Sequence, residues 1–163
     1  MKGPLMGIYN PRNTIIVTCR DKGFDDAVTL SWHSPASHAP FLYSIFLAGK
    51  RKSYEMIKSS KEFCVNFLSE DQAQLALFCG TKSGHSLDKF KEGNIEKEEC
   101  DDIDCPKIKG CSSYLECKVQ DIVEVGDHFM VVGKVIKEVQ GTGKKKLFQS
   151  NISGAYTFTT TKD

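Results

Sequence analysis

The first strong pattern along the chain is a β-branched run, Thr14-Ile15-Ile16-Val17-Thr18-Cys19, which ends at charged residues and Gly23. Branched side chains pack well on a pleated surface and glycine supplies turn backbone, so the run predicts a strand followed by a turn. Residues 27–32 and 41–47 are the next two predicted strands, with turn chemistry in Asp21-Lys22-Gly23 and across 34–40. A short helix should follow, with Ser53 as its N-cap and Met56 and Ile57 turned inward, before Phe63, Val65 and Phe67 alternate along a fourth strand. Ser69 and Gln72 then stand at capping-box spacing ahead of Leu75, Leu77 and Phe78, and Gly80 marks where that helix stops.

Residues 81–112 are polar and irregular, punctuated by Gly84, Gly93, Pro106 and Gly110. A connection of that length is usually functional or packed over something. Beyond it, residues 114–123 and 128–139 read as two strands of a hairpin joined by Glu124-Val125-Gly126-Asp127. Residues 141–146 read as a solvated turn and 155–159 as a last strand. Strands with short helices inserted, and no repeating strand-helix-strand rhythm, predict a mainly β fold closed into a barrel rather than a doubly wound sheet. The 163 residues suffice for one domain with a buried core, spanning 1–163.

Charge narrows the function classes. With 22 Lys and Arg against 21 Asp and Glu, the formal charge is +1, so no global field recruits nucleic acid or an anionic membrane. Any anion site must be local. No apolar stretch reaches membrane-spanning length and the start lacks a signal-peptide core, which makes cytoplasmic residence the expectation. Of the seven cysteines, Cys19, Cys64, Cys79 and Cys117 lie in or near apolar runs and read as reduced core residues. Cys100, Cys105 and Cys111 sit in the polar connection at spacings that fit no common zinc pair, so no metal is expected there.

Local anion chemistry is offered by Gly49-Lys50-Arg51-Lys52-Ser53, where a hydrophobic strand empties into cations and a helix start. First-turn N–H groups, the positive end of the helix dipole and a guanidinium all favour a phosphate, with Arg51, Lys52 and Ser53 the candidates. Upstream, Val28-Thr29-Leu30-Ser31-Trp32-His33-Ser34 ends in hydroxyls and an indole that could meet the polar edge and face of a planar ring. The competing readings are a solvated basic turn for the first segment, and strand-capping hydroxyls with a core tryptophan for the second.

Taken with Glu62-Phe63-Cys64-Val65-Asn66-Phe67, Cys79-Gly80-Thr81-Lys82-Ser83-Gly84, Asp88-Lys89-Phe90, Leu115-Glu116-Cys117-Lys118-Val119 and the stretch 125–135 containing Gly126-Asp127-His128, these segments resemble the flavin reductase-like, FMN-binding split-barrel family, in the order the family shows. The resemblance covers residues 12–137, and departs from many members at Ala39-Pro40, where they carry two prolines. It implies an antiparallel Greek-key split barrel that binds FMN near the interface of a homodimer and takes electrons from NAD(P)H or a protein donor. It implies ring contacts from Thr29, Leu30, Ser31, Trp32 and Ser34, and a phosphate seat at Arg51, Lys52 and Ser53. It also places Ser83 and Lys89 near the flavin and gives His128 a catalytic position on the electron-donor side. For the last two residues the alternatives are an exposed lysine and a turn histidine satisfied by Asp127. Two roles fit: a reductase that passes electrons through FMN to a flavin, iron or protein acceptor, and a flavoredoxin-like carrier without NAD(P)H turnover. A small β barrel that binds single-stranded nucleic acid through Tyr43, Phe46, Tyr54 and the Lys-rich turns is the reading from another class, and the near-neutral charge opposes it.

Overall fold

The computed structural model describes residues 8–141, 143–150 and 157–160. In chain order the elements are β1 (Arg12–Asn13), β2 (Ile15–Asp21), β3 (Phe24–Leu30), β4 (His33–Ser37), β5 (Leu42–Ala48), α1 (Lys52–Ser60) and β6 (Glu62–Phe67). A 3-10 turn at Glu70–Gln72 leads into α2 (Ala73–Thr81), then α3 (Lys89–Glu92), β7 (Lys97–Glu99), β8 (Pro106–Ile108), β9 (Ser113–Val125), β10 (His128–Gln140), β11 (Leu147–Gln149) and β12 (Phe158–Thr160). The fold is mainly β with short helices, as the strand pattern predicts.

The central sheet is antiparallel with order β3-β2-β6-β9-β10-β5-β4. Its two edge strands, β3 and β4, are consecutive in the chain and joined only by Ser31 and Trp32. A flat sheet of seven strands spaced about 4.8 Å would hold its edges roughly 29 Å apart. Two linking residues span about 11 Å at full extension. The sheet therefore has to roll up until its edges meet, which makes the barrel and puts Ser31-Trp32 on its seam.

Alternation along the strands sorts residues into two cores. Ile15, Val17, Val28, Ile45, Leu47, Phe63, Val65, Leu115 and Val131 fill the barrel, capped by Tyr54, Met56 and Ile57 of α1. Ile16 and Ala27 face the other way, onto Ala76 and Cys79 of α2 and onto Leu68 and Leu147. Leu68 and Ser69 reach this second core because the predicted capping box is present, Ser69 and Gln72 satisfying each other's backbone and side-chain groups. The long β9–β10 hairpin turns on Gly126 and Asp127, with Gly126 at φ 63, a conformation that glycine adopts without steric cost. Register shifts at Val132/Gly133 and Val135/Lys137 bend the hairpin so that it wraps the barrel.

The structure departs from the sequence pattern in four places. Residues 34–37, within the stretch 34–40 read as turn chemistry, belong to β4; it is an edge strand, where Pro35 costs no ladder bond. The irregular stretch 81–112 contains α3 and the β7–β8 pair. The segment 141–146 is followed by β11, which pairs with β1 and β12. The predicted last strand, 155–159, overlaps β12, and its residues 155 and 156 lie outside the described residues.

His33 closes the seam from inside. Its Nε2 donates to the Asn13 carbonyl at 2.9 Å, which fixes the tautomer and leaves Nδ1 to accept from the Tyr43 hydroxyl at 2.6 Å. Burial, the largest influence, lowers the His33 pKa, with Arg12 acting in the same sense. A histidine that titrates lower when folded takes up a proton more readily when unfolded. Its stabilising contribution is therefore complete above the unfolded value of about 6.5 and is lost as pH falls through the folded value. Urea midpoints should fall from pH 7.5 to pH 5.5 in the wild type, and His33→Gln should flatten that change. Packing gives a second expectation. A Cβ on Gly133 would sit 2.5 Å from Phe63 Cζ and 2.9 Å from Cys117 Cβ. Gly133→Ala should cost about 1–3 kcal/mol in urea unfolding, through overpacking of the barrel.

Candidate functional site

The end of β5 brings the two predicted halves of the site together. Ala48 lies opposite His128 in the β5–β10 ladder, and Gly49-Lys50-Arg51 then leads into α1. Because Ile45, Leu47 and Val131 point into the barrel, the alternate residues Phe46, Met130, His128, Val123 and Val125 share its outer face. Trp32 joins them there. Its carbonyl accepts from the Phe46 amide at 3.0 Å, and its indole lies 5.0 Å from the His128 ring, tilted by 37°. Trp32, Phe46, His128, Tyr9, Arg12 and Asp127 contribute to a cavity of about 490 Å³.

His128 Nδ1 is 2.7 Å from Asp127 Oδ1, and this contact holds the Asp127 carboxyl below its ordinary pKa. The contact orients the imidazole and leaves Nε2 as its other hydrogen-bonding nitrogen, on a residue that lines the cavity. The turn-histidine reading and the functional one therefore describe the same geometry, since an orienting carboxylate serves both.

α1 begins differently from expectation. Arg51, not Ser53, is the N-cap, with extended backbone (φ −82, ψ 137) and no side-chain cap bond. The amides of Tyr54 and Glu55 return to the Arg51 carbonyl at 3.0 and 3.4 Å, so those of Lys52 and Ser53 stand ahead of the helical ladder. Lys52 is only loosely held by Glu55, at 3.9 Å. The half-buried Arg51 guanidinium makes no hydrogen bond or ion pair among the described residues.

Ser53 is buried because its hydroxyl has a different task. It donates to Asp26 Oδ2 at 2.5 Å, and Asp26 is itself 3 % exposed. On the other side of that carboxylate is Lys89, also 3 % exposed. Its ammonium lies 2.6 Å from the Ala27 carbonyl, 3.4 Å from the Cys79 carbonyl and 3.5 Å from Asp26 Oδ1. The carbonyls are thus its close hydrogen bonds, and Asp26 balances its charge. Lys89 is neither the solvent-exposed lysine of one reading nor free to reach a ligand directly; it fixes the floor under the start of α1.

The remaining expected residues are spread around this frame. Thr29 donates to the Ala76 carbonyl at 2.7 Å, so its hydroxyl is committed to α2. Leu30 packs on the barrel core, and the Ser31 carbonyl accepts from Arg12 Nε at 2.7 Å. Ser34 is exposed on β4, bonded to the Pro35 carbonyl at 3.0 Å. Ser83 is exposed in the loop before α3, where its hydroxyl accepts from the His85 amide at 3.3 Å. That loop meets the phosphate candidates through His85, whose Nε2 is 3.3 Å from the Lys50 carbonyl. Sequence reasoning missed Asp26 and His85. The first had a signal, an acid on the same strand face as Val28; the second had none, since its partner is 35 residues away.

A larger hollow of about 730 Å³ lies on the other side of α1, between the β2–β3 turn and the loop before α3. It suits an anion less well. Asp21, Asp25, Asp26 and Asp88 line it against Lys22, Lys52 and Lys97, and Lys97 is already paired with Asp25. Among the described residues no cluster of His, Cys, Asp and Glu has the makings of a metal site, and no helix is long and apolar enough to cross a membrane.

The chain thus combines a rolled antiparallel barrel, an aromatic outer wall and a cationic helix start. Residues 6–152 match the flavin reductase like domain, and the chain belongs to that family. Among its relatives, the reductase component of a 4-nitrophenol 4-monooxygenase/4-nitrocatechol 2-monooxygenase from Rhodococcus opacus is 29% identical over 78% of this chain and 65% of its own length. An NADH:riboflavin 5'-phosphate oxidoreductase from Streptomyces pristinaespiralis is 31% identical over 60% of this chain and 53% of its own length. The chain thus spans between half and two thirds of these two relatives. The fold is shared with an FMN-binding protein from Thermus thermophilus, at TM-score 0.87 and 21% identity over 98% of this chain and 93% of that one. It is shared too with a flavoredoxin from Methanosarcina acetivorans, at TM-score 0.85 and 23% identity over 100% and 90%.

The Asp26–Lys89 pair makes a stability prediction. Lys89→Met leaves a carboxylate buried without its cation, and Asp26→Asn does the reverse; each should cost about 3–5 kcal/mol. The double variant should lose clearly less than the two single losses added, as read by a double-mutant cycle in urea.

Proposed function

We propose that this chain is an FMN-binding oxidoreductase of the flavin reductase type, passing electrons from NAD(P)H through FMN to a flavin, iron or protein acceptor. The observation that carries this reading is the Arg51 guanidinium, with no hydrogen bond or ion pair among the described residues, beside the unladdered amides of Lys52 and Ser53 and three residues past the Ala48–His128 rung of the ladder that carries the Trp32–His128 ring pair. Those groups suit the two ends of FMN, an anion and a planar aromatic ring. The redox chemistry is the cofactor's own: its ring takes up a hydride and releases electrons singly or in pairs.

The protein's part is to hold and orient. Arg51 and Lys52 bind the phosphate with charge-assisted contacts, and the Ser53 amide adds a dipole-aligned donor. Lys89 supports that seat from below through Asp26 and the Ser53 hydroxyl. Backbone groups of Thr29, Leu30 and Ser31 would serve the ring's polar edge, Trp32 would flank the ring, and Ser34 and Ser83 would offer further polar contacts. His128, oriented by Asp127, presents Nε2 to the donor and can hold or move a proton there. We read the chain as one domain, acting in the cytoplasm as a homodimer. The free cysteines and the apolar outer positions Val123 and Val125 support those two readings.

Purified protein should release FMN on denaturation and should oxidise NADH or NADPH when FMN is present. Arg51→Ala should weaken FMN binding roughly 10–100-fold, the loss of a charged hydrogen bond worth about 1.5–3 kcal/mol, measured by flavin fluorescence titration. His128→Ala should lower kcat with FMN affinity intact. Bound FMN with turnover of neither nucleotide would favour the flavoredoxin-like carrier, and no flavin uptake at all would end both readings.

A further inference from the structure

Three cysteines pack together against β2 and β6. Cys105 and Cys64 are fully buried beside Ile103, and half-buried Cys100 packs against this cluster. Two of the three are cross-strand neighbours. In the β7–β8 pair, Lys97 faces Ile108, Glu98 faces Lys107 and Glu99 faces Pro106. One more rung sets Cys100 opposite Cys105, and the Cys100 amide does donate to the Cys105 carbonyl at 3.0 Å. Opposed Cα atoms in an antiparallel ladder lie about 4.5–5.5 Å apart, inside the ~4.4–6.8 Å span of a disulfide.

The loop that closes this pair is held in shape. Glu116, fully buried in β9, accepts from the Asp101 amide at 3.0 Å and the Asp102 amide at 2.8 Å. Cys105 Sγ contacts the Thr18 carbonyl at 3.1 Å, and the Cys105 amide returns to Ile103 at 3.0 Å. Hydrogen bonds from Cys105 and Cys64, together with the Lys107 ammonium, lower the Cys100 pKa, whereas burial raises those of Cys105 and Cys64. Cys100 is therefore both the most accessible sulfur of the three and the one with thiolate character, the combination that makes a cysteine nucleophilic.

The geometry points to Cys100 and Cys105 as a redox-active dithiol that hydroperoxides oxidise to a cross-strand disulfide, a site separate from the flavin seat and independent of it. Cys100 thiolate attacks one peroxide oxygen, the O–O bond breaks, and the other oxygen leaves as hydroxide and takes up a solvent proton. Cys105 sulfur then displaces hydroxide from the Cys100 sulfenic acid, and the Cys105 proton leaves with it as water. Two thiols give up two electrons, and one hydrogen peroxide becomes two waters. Cys64 is the bystander, because its backbone is fixed in the central sheet opposite Glu116 rather than in the β7–β8 ladder.

The test uses the full chain, reduced, freed of reductant, exposed to hydrogen peroxide and alkylated before non-reducing digestion and mass spectrometry. The expected product is a Cys100–Cys105 cross-link that dithiothreitol reverses, with the free thiols of these two residues lost one for one. Cys105→Ser should stop at a sulfenic acid on Cys100, captured by dimedone, and Cys100→Ser should give neither product. A cross-link through Cys64, or a Cys100 that remains fully alkylatable after peroxide, would overturn the assignment. Should Cys105→Ser fold poorly, the wild-type cross-link map decides the matter alone.

Discussion

The two-residue connection between β3 and β4 is the constraint from which the rest of the structure follows. It ties opposite edges of a seven-stranded sheet, so the sheet closes, and closure divides side chains into an interior and an outer wall. The same two residues are Ser31 and Trp32, so the seam of the barrel and the aromatic face of the candidate site are one feature. His33 on the next position holds the seam from within through Asn13 and Tyr43, while Trp32 turns outward to His128. A seam that must be tightly closed gives the Trp32 indole a fixed position without extra machinery.

Polar groups inside the molecule reinforce that geometry at points where strands alone would not. Asn66 donates to the Ile16 carbonyl and Thr18 hydroxyl, both at 3.0 Å, and accepts from the Ile108 amide at 2.7 Å, which ties β6 and β2 to the β8 strap. Asp26 does the corresponding work for α1, bridging Ser53 on one side and Lys89 on the other. Buried charges are stabilising only with complete partners. Both networks are complete, and both lie directly beneath a loop whose position matters: the start of α1 in one case, the Cys100–Cys105 strap in the other.

Much of the central sheet was legible because alternation survives where one face is buried, as in Phe63, Val65 and Phe67, and the capping box at Ser69 and Gln72 was legible because it is local. β4 was not, since an edge strand with Pro35 and three serine or histidine neighbours carries turn composition. Part of the candidate site was readable, because Trp32 and His128 pair as rings beside the strand that leads into the start of α1. Its support was not. Asp26 and Lys89 are 63 residues apart, and nothing in either neighbourhood announces the other. Ser53 shows the cost of a purely local rule: a serine at a helix start looked like a cap, but a buried carboxylate is a stronger partner for its hydroxyl than the first-turn amides.

The placement of the aromatic residues bears on how such a protein would work. Phe46, Met130, Val123 and Val125 lie outside the barrel, not within it, and Val123 and Val125 are more than a third exposed. A planar cofactor resting on that wall would have one face against Trp32 and His128 and the other open. An interior site would shield the ring and slow electron exchange with a second molecule; a wall site leaves an approach for a nicotinamide, a free flavin or a protein. The same openness exposes apolar surface to water, which a second copy of the chain would cover at its margin. On the function proposed above, a homodimer and an exchange of electrons with diffusing partners would both follow from seating a ring on the outside of a closed barrel.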